Sequence, residues 1–173
     1  MNKTNIVLIG MPGSGKTTIG KIISRKTKIK LYDIDRVLEE RENDNIPNII
    51  EKYGEKHFRD LETKYTKELS NENHCIISTG GGIILKEENM ISLREKGVVV
   101  YIKRPVEDIK RQPSIQNRPL VKDNLEVIDK LYKERCGLYE KYADITIDNV
   151  ASDIVDVVNL VLKSKEVSNI LYP

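Results

Sequence analysis

Gly10-Met11-Pro12-Gly13-Ser14-Gly15-Lys16-Thr17-Thr18 follows the apolar run Ile6-Val7-Leu8-Ile9 and precedes a helical pattern marked by Ile19, Ile22 and Ile23. Strand, glycine-rich turn and helix in that order form the context of a phosphate-binding loop. Gly10, Gly13 and Gly15 allow the chain to turn tightly and point its N–H groups inward. The helix that follows adds partial positive charge at its start. Lys16 is placed to reach β- and γ-phosphate oxygens, and Thr17 brings a hydroxyl to where a magnesium ion would sit. Gly13, Ser14, Gly15, Lys16, Thr17 and Thr18 are therefore the candidate nucleotide-binding set.

Outward from this turn, short apolar runs alternate with helical patterns. The runs predict strands over 5–9, 30–32, 74–78, 98–102 and 144–147. Helices are expected over 16–27, 34–42, 48–53, 55–70, 87–96, 106–112, 125–142 and 153–162. Such alternation argues for an α/β fold, a five-stranded parallel sheet between two helical layers, and the phosphate loop makes that fold P-loop NTPase-like. Ligands then gather where the strands end. Two stretches interrupt the alternation. Region 33–69 holds three helical patterns with no strand between them, and region 112–124 is polar, carries two prolines and has no strong period. A loop of that length is usually a lid or a disordered connection. Region 164–173 reads as a frayed tail.

The bulk properties suit one domain of 173 residues, with 39% hydrophobic and 32% charged residues. A net charge of +2 is too small to argue for nucleic acid or membrane as a partner. Cys75 and Cys136 make no metal-binding or redox spacing and read as reduced thiols of a cytoplasmic protein. The first apolar run is too short for a signal peptide or a membrane span.

Three further constellations bear on what accepts the phosphoryl group. In Asp33-Ile34-Asp35, two carboxylates in an extended segment would point the same way. One would hold magnesium through water and the other would bind an acceptor hydroxyl. Equally, Asp35 is a helix N-cap and Asp33 a surface residue. In Phe58-Arg59-Asp60-Leu61-Glu62, Arg59 and Glu62 share one helix face. The pair is either a surface ion pair worth under ~1 kcal/mol or a fixed guanidinium fork for a carboxylate ligand. In Ser78-Thr79-Gly80-Gly81-Gly82, three glycines exceed what a turn needs. Either the strand-to-helix turn is very sharp, or a ligand lies against the backbone.

Taken together, these motifs resemble the shikimate kinase family. The matching residues are Gly10 to Thr17, Asp33-Ile34-Asp35, Gly54-Glu55 with Phe58-Arg59 and Glu62, Thr79 to Gly82, Arg118-Pro119-Leu120, and Arg135 between Tyr132 and Tyr139. The resemblance implies transfer of the γ-phosphoryl of ATP to the 3-hydroxyl of shikimate, with one magnesium ion, in aromatic amino acid biosynthesis. It implies that Arg59 and Arg135 hold the shikimate carboxylate and that Asp35 binds and deprotonates the attacking hydroxyl. Gly80, Gly81 and Gly82 would supply backbone N–H groups. Lys16 and Arg118 would neutralise the phosphates, Arg111 would line the adenine site, and Thr17 and Asp33 would hold the metal. Region 33–69 becomes the substrate-binding region and 112–124 the lid of one domain over 1–173, expected to be a monomer. Pro113, and the lack of a lysine in 112–117, depart from the family's usual lid. A kinase of gluconate or of a nucleoside monophosphate, and a non-catalytic relative acting as a regulatory module, are the rival readings.

Overall fold

The computed structural model describes residues 3–112, 115, 125–150 and 153–171. Strand β1, Asn5–Ile9, is buried along its whole length, as its unbroken apolar run demands of a central parallel strand. It pairs with β3, Cys75–Ser78, on one side and with β4, Gly97–Lys103, on the other. Strand β2, Lys30–Asp33, and strand β5, Ile145–Asp148, form the edges. The sheet is parallel throughout, in the order β2-β3-β1-β4-β5.

Side chains of a strand alternate between faces, and the core divides accordingly. Val7 and Ile9 join Ile77, Val99 and Tyr101 in one cluster, while Ile6 and Leu8 join Ile76, Val98 and Val100 in the other. The second cluster is covered by helix α1, Lys16–Thr27, and by α7, Ile154–Lys163. The first is covered by α4, Glu87–Lys96, and α6, Glu126–Tyr142. Helices α2, Ile34–Glu42, and α3, Ile46–Ser70, build a third, smaller cluster around Leu38, Ile49, Phe58 and Tyr65. Helix α5, Val106–Lys110, is shorter than its sequence pattern and ends before Gln112.

Region 46–70 is one run interrupted at Gly54, whose φ of 85° and ψ of 161° take the backbone out of the helix. The break falls at the residue that separates the two helices expected over 48–53 and 55–70. The frayed tail is corrected by the structure. Lys165–Leu171 is a helix, α8, and Val167 and Ile170 are buried against the α1 face of the sheet. Its short apolar stripe is enough to dock it. Among the described residues, no helix is long and apolar enough to cross a membrane.

Candidate active site

Because every strand is parallel, β1, β2, β3 and β4 all end on one edge of the sheet. The turn after β1 is the phosphate loop. Gly13 and Gly15 adopt φ of 78° and 96°, in the left-handed region that glycine enters without penalty. Ser14 N donates to Met11 O at 3.0 Å, and Ile19 N donates to Gly15 O at 2.9 Å, so the loop runs straight into α1. Lys16 curls back over this loop. Its Nζ donates to Gly10 O and Met11 O, each at 2.8 Å, and reaches Ser14 Oγ at 3.4 Å. Ser14 itself is buried, and its carbonyl accepts from Asn149 Nδ2 at 2.8 Å. Gln112 Nε2 donates to Gly13 O at 2.6 Å, and the Ile115 side chain packs on Gly13. Asn149 and Gln112 thus clamp the loop from two sides.

Beside the loop lies an all-oxygen cluster. Thr17 Oγ1 donates to Asp33 Oδ2 at 2.8 Å and stands 3.3 Å from Ser78 Oγ. Asp33 and Ser78 face each other in the β2–β3 register. Oxygen donors of this kind suit a hard divalent cation. The structure also settles the geometry of the two aspartates. Asp33, not Asp35, is the N-cap of α2, accepting from Arg36 N at 3.4 Å. Asp35 lies one residue inside the helix, so the two carboxylates do not share a face of one extended segment. The reason is that β2 runs on through Asp33 before the helix begins.

Opposite the phosphate loop stands Gly80-Gly81-Gly82. Thr79 locks its start to the central strand, since both its N–H (3.2 Å) and its hydroxyl (3.0 Å) donate to Leu8 O. None of the three glycines has a positive φ. They are glycine because protein side chains press on them. A Cβ on Gly80 would lie 2.8 Å from Asp35 Oδ1 and 3.1 Å from Glu62 Oε1. On Gly81 it would lie 2.5 Å from Pro12 Cδ, and on Gly82 it would meet the Arg59 guanidinium, with Cζ at 2.8 Å. Arg135 completes the ring, donating from Nη1 to Gly81 O at 3.3 Å. Asp35, Arg59, Arg135 and the phosphate loop therefore converge on three consecutive residues.

Arg59 is fixed before any ligand arrives. Its Nη1 bonds Glu62 Oε2 at 2.9 Å, and its Nη2 lies 3.3 Å from Glu55 Oε1. Glu62 is buried, and its Oε1 has no hydrogen-bond partner among the described residues. Burial disfavours the charge on Arg59, but the Glu62 and Glu55 carboxylates more than offset it and hold its pKa above the usual value. The expected ion pair is thus a supported guanidinium rather than a solvated surface contact.

A cleft of about 210 Å³ runs between the phosphate loop and the start of the glycine turn, lined among others by Pro12, Lys16, Thr17, Asp35, Gly80 and Gln112, whereas Arg59, Gly82 and Arg135 are not among its lining residues. A larger hollow of about 650 Å³ opens at the β2 edge and shares Thr17, Asp33 and Asp35 with it. Of the two, the smaller cleft is the one lined by Gly13, Gly15 and Lys16 of the phosphate loop and by Gly80 and Gly81 of the glycine turn. Of the remaining expected residues, Thr18 lines this cleft, whereas Arg111 is largely exposed and lies 3.5 Å from Asp108. Arg118, and 113–114 and 116–124 of the expected lid, lie outside the described residues. Sequence reasoning gave no role to Ser78, Gln112 or Tyr139. Ser78 was signalled by its place at the end of a strand beside the central one. Gln112 stood only as the first residue of the expected lid, and Tyr139 only as part of the family motif around Arg135.

The profile of the shikimate kinase family matches residues 12–166. The chain is 41% identical to the shikimate kinase of Clostridium beijerinckii over 165 residues, which cover 95% of each protein. It is also 41% identical to that of Nitrosococcus oceani over 162 residues, covering 92% of this chain and 85% of the relative. Among solved structures, shikimate kinase from Acinetobacter baumannii in complex with shikimate superposes with a TM-score of 0.85 at 34% identity, covering 92% of this chain and 91% of that one. The Aquifex aeolicus enzyme gives 0.81 at 39% identity, covering 91% and 94%.

Proposed function

We infer the working of the cleft from one premise: the chain belongs to the shikimate kinase family. It is an ATP-dependent kinase that phosphorylates shikimate, a transferase step in aromatic amino acid biosynthesis. The residue roles follow from that reaction and from the geometry. The observation that carries them is the convergence of Asp35, Arg59 and Arg135 on Gly80-Gly81-Gly82, with Pro12 of the phosphate loop packed on Gly81.

Phosphoryl transfer asks a protein mainly to position the reactants and to neutralise charge. Gly13, Ser14, Gly15, Lys16, Thr17 and Thr18 cradle the ATP phosphates, and Lys16 leaves its loop carbonyls for the phosphate oxygens. Arg59 and Arg135 bind the shikimate carboxylate from two sides. Arg59 offers a guanidinium already oriented by Glu62. Asp35, at the Gly80 end of the triplet, orients the 3-hydroxyl and accepts its proton. The amides of Gly80, Gly81 and Gly82 donate to no protein acceptor among the described residues, which leaves them to the acceptor ring.

The oxygen cluster fits a magnesium ion: Thr17 would hold it directly and Asp33 through water, with Ser78 beside them. When bound with ATP, the ion supplies positive charge against the phosphate oxygens. Arg111 is assigned to the adenine side and Arg118 to the phosphates by family resemblance. The same reading gives a single kinase domain with 33–69 as its substrate-binding region and 112–124 as its lid, acting as a cytoplasmic monomer on ATP and shikimate.

A coupled assay for ADP release, with shikimate, gluconate and nucleoside monophosphates offered in parallel, tests this. Turnover with shikimate alone is expected. Faster turnover with either rival acceptor would overturn the substrate, and no turnover with any would favour a non-catalytic role.

A further inference from the structure

All three carbonyls of the glycine turn are taken by the protein itself. Gly80 O accepts from Ile83 N at 3.3 Å and Gly82 O from Leu85 N at 3.0 Å, both within the local turn over Ile83–Leu85. Gly81 O is served from a distance, by α6. It accepts from the Tyr139 hydroxyl at 2.5 Å and from Arg135 Nη1 at 3.3 Å.

Tyr139 is built to hold that carbonyl. It is fully buried, its ring stacks on Tyr101 with centroids 5.1 Å apart, and its hydroxyl also lies 4.0 Å from Met11 Sδ in the phosphate loop. Burial raises the pKa of the phenol, so the proton that it donates stays in place at neutral pH.

The peptide that needs holding is the one between Gly81 and Gly82. A peptide flanked by glycines meets little steric resistance to reorientation. Because the unit is planar, the side to which Gly81 O points fixes the opposite direction for Gly82 N–H. The neighbouring side chains do not set this plane, since they press on the α-carbons. Tyr139 and Arg135 are also one helical turn apart and lie on the same face of α6. One anchor therefore sets both the peptide and the height of the guanidinium over it.

We propose that Tyr139 is a positioning residue for the acceptor, its hydroxyl pinning the Gly81 carbonyl and thereby fixing the Gly81–Gly82 peptide and the aim of Arg135. The role rests on the assignment of Arg135 to the shikimate carboxylate made above. Tyr139 touches no reacting atom. It acts through the two groups that do the binding.

The test uses the full chain and three variants, with KM for both substrates and a calorimetric Kd for shikimate. Tyr139→Phe keeps the stacked ring and removes only the hydroxyl. Its shikimate KM and Kd are expected to rise about tenfold, the effect of one lost buried hydrogen bond, with the ATP KM changed by less than about twofold. Tyr101→Phe is the matched control, because the Tyr101 hydroxyl is buried in the same stack with no hydrogen-bond partner among the described residues. It should leave shikimate binding unchanged. An equal rise in both variants would mean loosened packing and would overturn the proposal, as would an unchanged Kd in Tyr139→Phe. Arg135→Ala separates the two levels. If it leaves the shikimate Kd unchanged, the site assignment fails and Tyr139 falls with it. If it weakens binding while Tyr139→Phe does not, the role of Tyr139 alone is lost.

Discussion

The turn after β1 and the turn after β3 leave paired strands on the same edge of the sheet, and both are rich in glycine. In the first, Gly13 and Gly15 have φ of 78° and 96°, so the backbone itself excludes other residues. In the second, no φ is positive, and the exclusion comes from outside, from Asp35, Pro12 and Arg59 pressed against the α-carbons. The first turn takes its shape from its own backbone angles, and the proposed function has it cradle the ATP phosphates. The second is thinned so that side chains from α2, α3 and the phosphate loop can meet over it. The nucleotide half of the cleft is therefore a property of one local segment, while the acceptor half is assembled from distant ones.

The largest effect that would break this division is loss of charge from the first turn. Lys16→Ala should lower kcat by at least about a hundredfold, the scale of removing one preorganised donor to developing charge. Shikimate binding, measured by calorimetry without nucleotide, should survive. A wild-type rate in this variant would take the phosphate loop out of the mechanism. Next comes the acceptor half. Asp35→Asn should reduce kcat by about 10²–10⁴, the usual range for a general base, with ATP affinity nearly intact. Near-normal turnover would give the proton to another group. Arg59→Ala should then raise the KM for shikimate by roughly ten- to a hundredfold, as one charge-assisted contact is worth about 1.5–3 kcal/mol. Its ATP KM should barely move. Equal effects on the two substrates would show that the two halves are not separate.

How much of this was legible in the sequence follows the same division. The phosphate loop could be read because its rule is local: a strand, a spacing of glycines and a helix, and 5–9 and 16–27 fall where the pattern puts them. The acceptor half was legible only as scattered pieces. Asp33-Ile34-Asp35 could be seen, but which aspartate caps α2 depended on where β2 ends, and that is decided by pairing with β3. Gly80-Gly81-Gly82 was visibly excessive, yet a sequence cannot say whether backbone angle or a neighbour's bulk requires it. Tyr139 could be seen as part of the family motif around Arg135, but nothing in the motif says what its hydroxyl holds, and that partner is 58 residues away. The docked helix α8 escaped for a related reason, since Val167 and Ile170 give too short a stripe to announce a packed element.

The smallest expected effect separates the two kinds of glycine most cleanly. Alanine at Gly15 must take a left-handed conformation that costs an L-residue roughly 1–2 kcal/mol, and its Cβ would also lie 3.1 Å from Asn149 Nδ2. Alanine at Gly82 keeps an ordinary φ and meets chiefly the far end of Arg59, a flexible side chain that can move aside. Gly15→Ala should therefore lower the thermal midpoint by several degrees, since each ~1 kcal/mol shifts a domain of this size by roughly 2–4 °C. Gly82→Ala should lower it by less, and should instead register in the shikimate KM as Arg59 is displaced from its place beside Glu62. The comparison is one of ratios. Stability should report the first substitution and acceptor affinity the second. If Gly82→Ala cost as much stability as Gly15→Ala and left shikimate affinity alone, the second turn would be a conformational device like the first. Arg59 would then lie against it by accident of packing rather than for the acceptor.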